Sequence, residues 1–489
     1  MNKITDLNPK LIWKNFAKIC SIPHPSKKEK KIVEFIKSFG ENLNLETIVD
    51  EAGNVIIRKP ATKGFENRKG VILQGHLDMV PQANSDSNHD FEKDPIEAYV
   101  DGEWVTANGT TLGADNGIGV AAAMAVLESN DIEHGPIEAL FTVDEETGMT
   151  GAFELKPGIL KGEILLNMDS EDEGELYVGC AGGMDANIRM EYNTVKVPEN
   201  MKGYKLSITG LKGGHSGLDI NLGRGNANKI LIRFLKKATK DFGLRMVSIN
   251  GGSLRNAIPR ESFAHVLIPS ENNDKFIASV NDFNELIKSE IGRVETDFNF
   301  TAQETNVPEK MIDEFSQYNL INSVYACPNG VIRMSDAFEG VVETSNNIAI
   351  VKSDNGYFVI NCLLRSSIDS AKYNLAEMIC SVFDLAGAEI ELTGEYPGWK
   401  PNPNSDILQV MKKSYQNLYN KTPEIKVIHA GLECGILGSK YPNWDMISFG
   451  PTIRFPHSPD EKVNIESVQK FWNYLIETLK NIPIKQFNS

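Results

Sequence analysis

Five short segments hold the residues best suited to chemistry: GHLDMV, TLGADNGIG, TVDEETG, LLNMDS and, far downstream, FPHSPDE. They supply His76, Asp115, Glu146, Asp169 and His457. These nitrogen and oxygen donors include enough carboxylates for two metal ions sharing one bridge. Each segment except the last adjoins an apolar run. Polar groups delivered at the ends of buried strands are more typical of an active site than of a solvated face.

Taken singly, each signal has a plain structural alternative. On an extended strand His76 and Asp78 project from the same face. Asp78 is therefore better placed to hold the imidazole than to ligate the same ion, although a strand-end pair in solvent would look alike. Asp115 precedes the Ala-rich stretch NGIGVAAAMAVLES, where an aspartate also serves as a helix cap. Glu145 and Glu146 end the strand IEALFTV and should point to opposite faces, one to a metal and one to a substrate water. Consecutive acids at a strand end are equally a common surface feature. Asp169 leaves the apolar run ILLNM, and His457 in its Pro-flanked loop reads alone as an exposed histidine. Their order and context carry the weight.

The elements that must position these residues follow from size and pattern. A chain of 489 residues exceeds one ordinary core, so two domains are expected. Hydrophobic residues at 41% and charged residues at 24% give the balance of a globular protein. No apolar stretch approaches the roughly 20 residues that cross a bilayer, so no membrane partner is expected. The opening MNKITDLNPKLIWKNF lacks the regions of a secretory signal, which makes the cytoplasm the expected compartment. A formal net charge of −16 argues against nucleic acid. Cys20, Cys180, Cys327, Cys362, Cys380 and Cys434 form no C-x-x-C pair and read as reduced, buried thiols.

Periodicity predicts helices over 9–21 and 27–39, the second with Ser26 as N-cap and Gly40 as its stop. A hairpin follows from LETIVD and NVIIRKP, then strands from GVILQGHLDMV, IEALFTVDEE, GEILLNMDS and ELYVGC. Alternation with helices implies an α/β sheet with its site at the carboxyl ends of the strands. After about Asp185 the texture becomes α+β. A run from YKLSITGL to DFNFTAQE is answered by a second from GVVETSNNIAIVKS to AEIELTGE, each with an Asn-rich turn before a strand. Residues 187–396 thus read as one inserted domain of two related halves. Pro397, Pro401 and Pro403 mark the return to the first domain, formed by 1–186 and 397–489.

H-x-D, G-A-D-N-G, D-E-E-x-G, an aspartate after a strand and a C-terminal histidine together resemble the aminoacylase/carnosinase family of di-zinc peptidases. The resemblance covers nearly the whole chain, including KGGHSG and GGSLRNAIP in the inserted domain. HAGLECG and FPHSPDE point to the branch that cleaves aminoacyl-histidine dipeptides. It implies an α/β fold, a mixed sheet flanked by helices, with an inserted α+β lid. It also implies two Zn2+ per chain, with Co2+ or Mn2+ as substitutes: His76 and Asp169 on one, Glu146 and His457 on the other, and Asp115 bridging. A cis peptide is implied at Asp115–Asn116. Aspartate at position 169 goes with dipeptidases and aminopeptidases, glutamate with carboxypeptidases and deacylases.

The same resemblance makes Glu145 the general base, and Asp78, which holds the His76 imidazole, counts with it as a catalytic residue rather than a ligand. It brings His215 and Asn256 from the lid as donors to the oxyanion. Arg365 could hold the substrate carboxylate or serve as an ion-pair partner, and Gly431 could offer a backbone N–H. His24, His89, His134 and His265 fit no metal spacing, whereas His429 lies in a Gly-rich segment that resembles a substrate loop. The expected activity is hydrolysis of unblocked dipeptides, Xaa-His included. An acylase or tripeptidase on the same scaffold is the alternative, and a non-catalytic metal or peptide binder is the remoter one. A homodimer is among the expected assemblies, with the doubled lid completing the site within one chain.

Overall fold

A computed structural model describes residues 3–485, and its chain divides into two compact units. The first comprises the chain up to Cys180, Trp399–Val427 and the chain from Leu432 onward. The second comprises Ala181–Gly398 and Ile428–Gly431. The inserted unit therefore begins at Ala181 rather than at 187, because the strand Gly182–Glu191 belongs to its sheet. The segment Ile428–Gly431, expected in the first domain, also belongs to the second unit.

The first unit is built on an eight-stranded mixed sheet. Its order is Glu46–Val49, Val55–Lys59, Ile137–Thr142, Val71–His76, Ile164–Asn167, Asp445–Ser448, Glu175–Cys180 and Glu424–Ile428. Ile137–Thr142, Val71–His76, Ile164–Asn167 and Asp445–Ser448 run parallel and are buried along almost their whole length. Parallel strands covered on both faces read as mostly apolar runs, as IEALFT and VILQGH do. Their common direction puts the segments after His76, Thr142 and Asn167 at one end of the sheet.

The helix Ala114–Glu128 is apolar all round and buried along nearly its whole length. It packs on Lys10–Cys20 and on the strand Val71–His76. Gly119 lets it approach the strand ends, since a Cβ there would lie 2.5 Å from the Met168 carbonyl oxygen. A separate four-stranded sheet, Ile453–Arg454, Lys462–Asn464, Trp104–Ala107 and Ala98–Asp101, holds the His457 segment between its first two strands.

The second helix runs Lys30–Asn42, later than its predicted span. Ser26 does not cap it: its hydroxyl donates to Asp78, and Lys27 turns the chain at φ 67°. Gly40 lies inside this helix, and the chain leaves it past Leu43 with Asn44 at φ 55°.

The second unit carries a nine-stranded sheet over a single core that includes Phe234, Phe276, Phe283, Phe358 and Phe383. Met201–Thr209, Ala227–Phe242, Arg245–Gly251, Ser262–Pro269, Asn273–Ile291 and Asn299–Thr305 form one β-α-β-β-α-β set. Gly182–Glu191, Glu314–Ala326, Val342–Asp354, Tyr357–Ser366, Asp369–Asp384 and Glu389–Tyr396 form another. In each set the first strand lies between the third and the fourth, and the second strand flanks the third. The sets meet through their second strands, Asn250 opposite Lys352. The first set is inserted between the first strand and first helix of the second. The Asn-rich stretch expected as a turn is instead mid-strand, where Asn346 and Asn347 donate to the carbonyls of Pro328 and Ala257.

Candidate active site

His76 is the last residue of its strand, so Asp78 lies beyond the strand and the same-face argument for the pair does not apply. The His76 Nδ1 lies 3.0 Å from the Asp78 carbonyl oxygen and 3.4 Å from its carboxylate. Both groups accept, so Nδ1 carries hydrogen and Nε2 is left to face Asp115 Oδ1 at 3.2 Å and Asp169 Oδ1 at 3.3 Å. The Asp78 carboxylate accepts from the Glu145 N–H at 2.9 Å, the Glu146 N–H at 3.2 Å and the Ser26 hydroxyl at 2.8 Å.

Those bonds explain a difference from the sequence expectation. Glu145 and Glu146 are not strand residues with opposed faces but open the short helix Glu145–Gly148. Asp144 breaks the strand at φ 54° and accepts from the hydroxyls of Thr147 and Thr150, while Asp78 takes the first free N–H groups of the turn.

Asp115 and Asn116 have non-helical dihedrals at the head of their helix, and their peptide bond is cis. Asp115 faces two groups at once. Its Oδ1 lies against His76, and its Oδ2 lies 3.2 Å from His457 Nε2, which is 3.0 Å from Glu146 Oε2. Ligand atoms of His76, Asp115 and Asp169 lie within 4.8 Å of one another, as do those of Asp115, Glu146 and His457. Asp115 is common to both sets. Glu145 shares a third such group with His76 and Glu146. Asn116, buried, donates to the Met168 carbonyl at 2.6 Å and so joins the Asp115 turn to the residue before Asp169.

The electrostatics are those of a site short of positive charge. Hydrogen bonds to the Asp115 and Glu146 carboxylates push the His457 imidazole up to about 11. His76 is raised well above its usual value: burial opposes this, but Asp169, Asp115 and Asp78 outweigh it. Burial pushes the Asp169 carboxyl up to about 7 and raises Glu145 well above the carboxylate range. Against burial, the His76 ring and the Glu145 N–H hold Asp78 at about 2. The buried Glu146 Oε1 has no hydrogen-bond partner among the described residues. Closely packed acids, paired triads sharing one carboxylate and an orphaned oxygen all fit divalent cations bound through nitrogen and oxygen.

The second unit gathers the other candidate residues. His215 Nδ1 accepts the N–H groups of Gly217 at 3.1 Å and Leu218 at 3.0 Å. That fixes the ring hydrogen on Nε2. Burial and then Arg365 lower the His215 value, which keeps the ring neutral at neutral pH with Nε2–H as a donor. Asn256 is exposed, in the segment paired with His215 through His215 and Ala257, and its carbonyl accepts the Ser216 N–H. Arg365 is buried; its Nη1 donates to the Tyr396 hydroxyl at 3.0 Å and its Nε has no partner among the described residues. No carboxylate pairs with Arg365 among the described residues. A Cβ placed on Gly431 would lie 2.9 Å from the Tyr396 ring.

Several residues of these clusters escaped the sequence reading. Tyr396 holds Arg365 and carried no motif. Ser345 lies 2.7 Å from His429 Nε2, and burial followed by Arg365 and His215 pushes this imidazole down to about 3. Glu433, within HAGLECG, accepts from Gln74 at 2.7 Å and Thr142 at 2.8 Å, beneath the strand ends that lead to His76 and Glu145. Glu461, four residues past His457, is equally buried. An acid inside a histidine-bearing segment was the one signal available for it.

A model described as Peptidase family M20/M25/M40 matches residues 72–481. The chain belongs to this peptidase family. It is therefore a hydrolase, and membership implies a divalent-metal centre. The chain is 49% identical over 485 residues to a cytosol non-specific dipeptidase of Escherichia coli (strain K12), covering 99% of this chain and 100% of that one. It is 52% identical to a crystal structure of an aminoacylhistidine dipeptidase from Vibrio alginolyticus, with a TM-score of 0.97 and 99% of each chain covered. Aminopeptidase PepT from Bacillus cereus shares the fold at 16% identity, with a TM-score of 0.57 over 97% of this chain and 99% of that one. No helix of the described residues is long and apolar enough to cross a membrane.

Proposed function

We propose that this protein is a metal-dependent dipeptidase of the cytosol that cleaves unblocked dipeptides, Xaa-His among them. The carrying observation is the pair of three-residue groups sharing Asp115, with Glu145 against them. Likeness over the full length to two dipeptidases supports the substrate class. His76 and Asp169 would hold one Zn2+, Glu146 and His457 the other, and Asp115 both, with Co2+ or Mn2+ able to substitute. When bound, the ions supply Lewis acidity and a water acidified to near neutral pH.

The chain's own residues do the rest. Glu145 takes the proton of the attacking water and passes it to the leaving amine. Asp78 fixes both the turn that carries Glu145 and the backbone carbonyl that sets the His76 ring. The Nε2–H of His215 and the amide of Asn256 donate to the oxyanion. The guanidinium of Arg365 takes the substrate carboxylate, and the Gly431 N–H adds a second donor there.

Free dipeptides, tripeptides, N-acyl amino acids and dipeptide amides separate this reading from its rivals. Rapid hydrolysis confined to free dipeptides, and lost on chelation, is expected. Comparable rates on tripeptides or acyl amino acids would refute it. Arg365→Ala should raise KM for free dipeptides by about 10-fold or more while leaving dipeptide amides nearly unchanged, since charge-assisted bonds contribute about 1.5–3 kcal/mol. An equal effect on both substrates would remove Arg365 from carboxylate binding. The site is proposed to act within one chain. Mixing inactive His215→Ala and Glu145→Ala chains should then restore nothing, and restored hydrolysis would require groups from two chains.

A further inference from the structure

The side chain of Glu461 lies at the head of the Asp115 turn and is buried to 2% exposure. Its Oε2 accepts the N–H groups of Leu112 at 2.8 Å and Gly113 at 3.0 Å. Its Oε1 accepts those of Ala114 at 2.8 Å and Asp115 at 3.3 Å. Four consecutive amides thus converge on one carboxylate, with Gly113 at φ 72° making the turn that aims them. Successive N–H groups turned to one side form an anion-binding concavity. Here the anion is a side chain of the same protein.

Glu461 is itself held firmly. Its N–H donates to the Ser458 carbonyl at 3.0 Å, and its own carbonyl accepts the Thr106 hydroxyl at 2.8 Å. It lies in the connection between Ile453–Arg454 and Lys462–Asn464, the same connection that carries His457. One residue therefore joins the turn of Asp115 to the loop of His457. The His76 and Asp169 side is built differently. His76 ends one parallel strand and Asp169 lies just past its neighbour, and Asn116 links the Asp115 turn directly to Met168. The His457 side chain, by contrast, is 51% exposed and sits at φ 59° in a loop.

We propose that Glu461 is a positioning residue for the His457 side of the metal pair. The ion held by Glu146, His457 and Asp115 depends on it more than the ion held by His76, Asp169 and Asp115. This inference rests on the two-ion reading above. Groups that orient ligands typically change metal affinity by about 10–100-fold when altered.

Glu461→Gln keeps the shape but leaves one accepting oxygen, so two of the four N–H groups would face an NH2 group. Calorimetric titration of the metal-free proteins, metal per chain after gel filtration and the visible spectrum with Co2+ provide the readouts. Wild type should bind two ions. The variant should keep one at wild-type affinity, bind the second about 10–100-fold more weakly and show an altered Co2+ spectrum. Two ions bound with wild-type affinity and spectrum, or equal weakening of both, would overturn the proposal. A wild-type chain that binds fewer than two ions instead overturns the two-ion reading, and this inference with it. Hydrogen exchange on the metal-free wild type needs no variant: the amides of Leu112, Gly113, Ala114 and Asp115 should exchange slowly. Exchange there as fast as in an open loop would defeat the assignment even if Glu461→Gln failed to fold.

Discussion

Glu145→Gln is expected to lower kcat by about 10²–10⁴-fold while metal content stays at the wild-type level. A loss of about 10³ corresponds to roughly 4 kcal/mol of transition-state stabilisation. The position of Glu145 is fixed through its backbone, whose N–H donates to Asp78 Oδ1 at 2.9 Å. The substitution therefore removes a proton acceptor without releasing the turn that carries Glu146. Among the described residues, the ion pairs of His76, Asp115, Asp169 and His457 are made with one another and with Asp78 and Glu146, and none with the Glu145 carboxylate. Kinetics and elemental analysis of the same preparation give the answer. Retained turnover would reject Glu145 as the base, and simultaneous loss of metal would recast it as a ligand.

Gly217→Ala should reduce kcat/KM by about 10²-fold, because displacing substrate-positioning groups by about 1 Å costs that much. A Cβ at this position would lie 1.9 Å from the His429 carbonyl oxygen, 3.1 Å from Arg365 Nε and 3.1 Å from His215 Cε1. Three segments distant in sequence thus converge on a point that only glycine leaves free. The backbone oxygen cannot yield as a flexible side-chain tip would. Either the Ile428–Gly431 segment must move, or the His215 turn must, and in that case His215 loses the N–H groups that fix its tautomer. Steady-state kinetics beside a thermal melt separate this local effect from unfolding. Wild-type kcat/KM in a folded variant would mean that the convergence has no role in catalysis.

The fold was largely legible because buried parallel strands write themselves as largely apolar runs, and VILQGH, IEALFT and ILLN end at or shortly before His76, Glu145 and Asp169, which the structure brings to the cluster. Local geometry was less legible. Pattern alone puts Glu145 and Glu146 on a strand because nothing adjacent in sequence signals that Asp144 adopts a left-handed conformation, or that Asp78, 67 residues earlier, accepts the following N–H. Ser26 failed as a cap for the same reason, its hydroxyl being engaged by a residue 52 positions away. Tyr396, Ser345, Glu433 and Glu461 act through partners distant in the chain, and spacing carries no trace of such pairs. His429 was legible only as a glycine-rich neighbourhood. Its neutrality follows from burial beside Arg365, which the fold alone supplies.

The nesting of the chain has a consequence for the order in which the molecule comes into being. The strand Gly182–Glu191 must wait for Val342–Asp354 and Tyr357–Ser366 before its own set is complete, while the set from Met201 to Thr305 is finished in between. The first unit waits longer still, for Asp445–Ser448 to take its place beside Ile164–Asn167. Domains tend to form as units while the chain emerges, so completion runs from the innermost segment outward. His457 and Glu461 emerge long after His76, Asp115, Glu145 and Asp169. A nascent chain that has not yet reached residue 457 therefore carries His76, Asp115, Glu145 and Asp169 without the histidine that completes the group of Asp115 and Glu146.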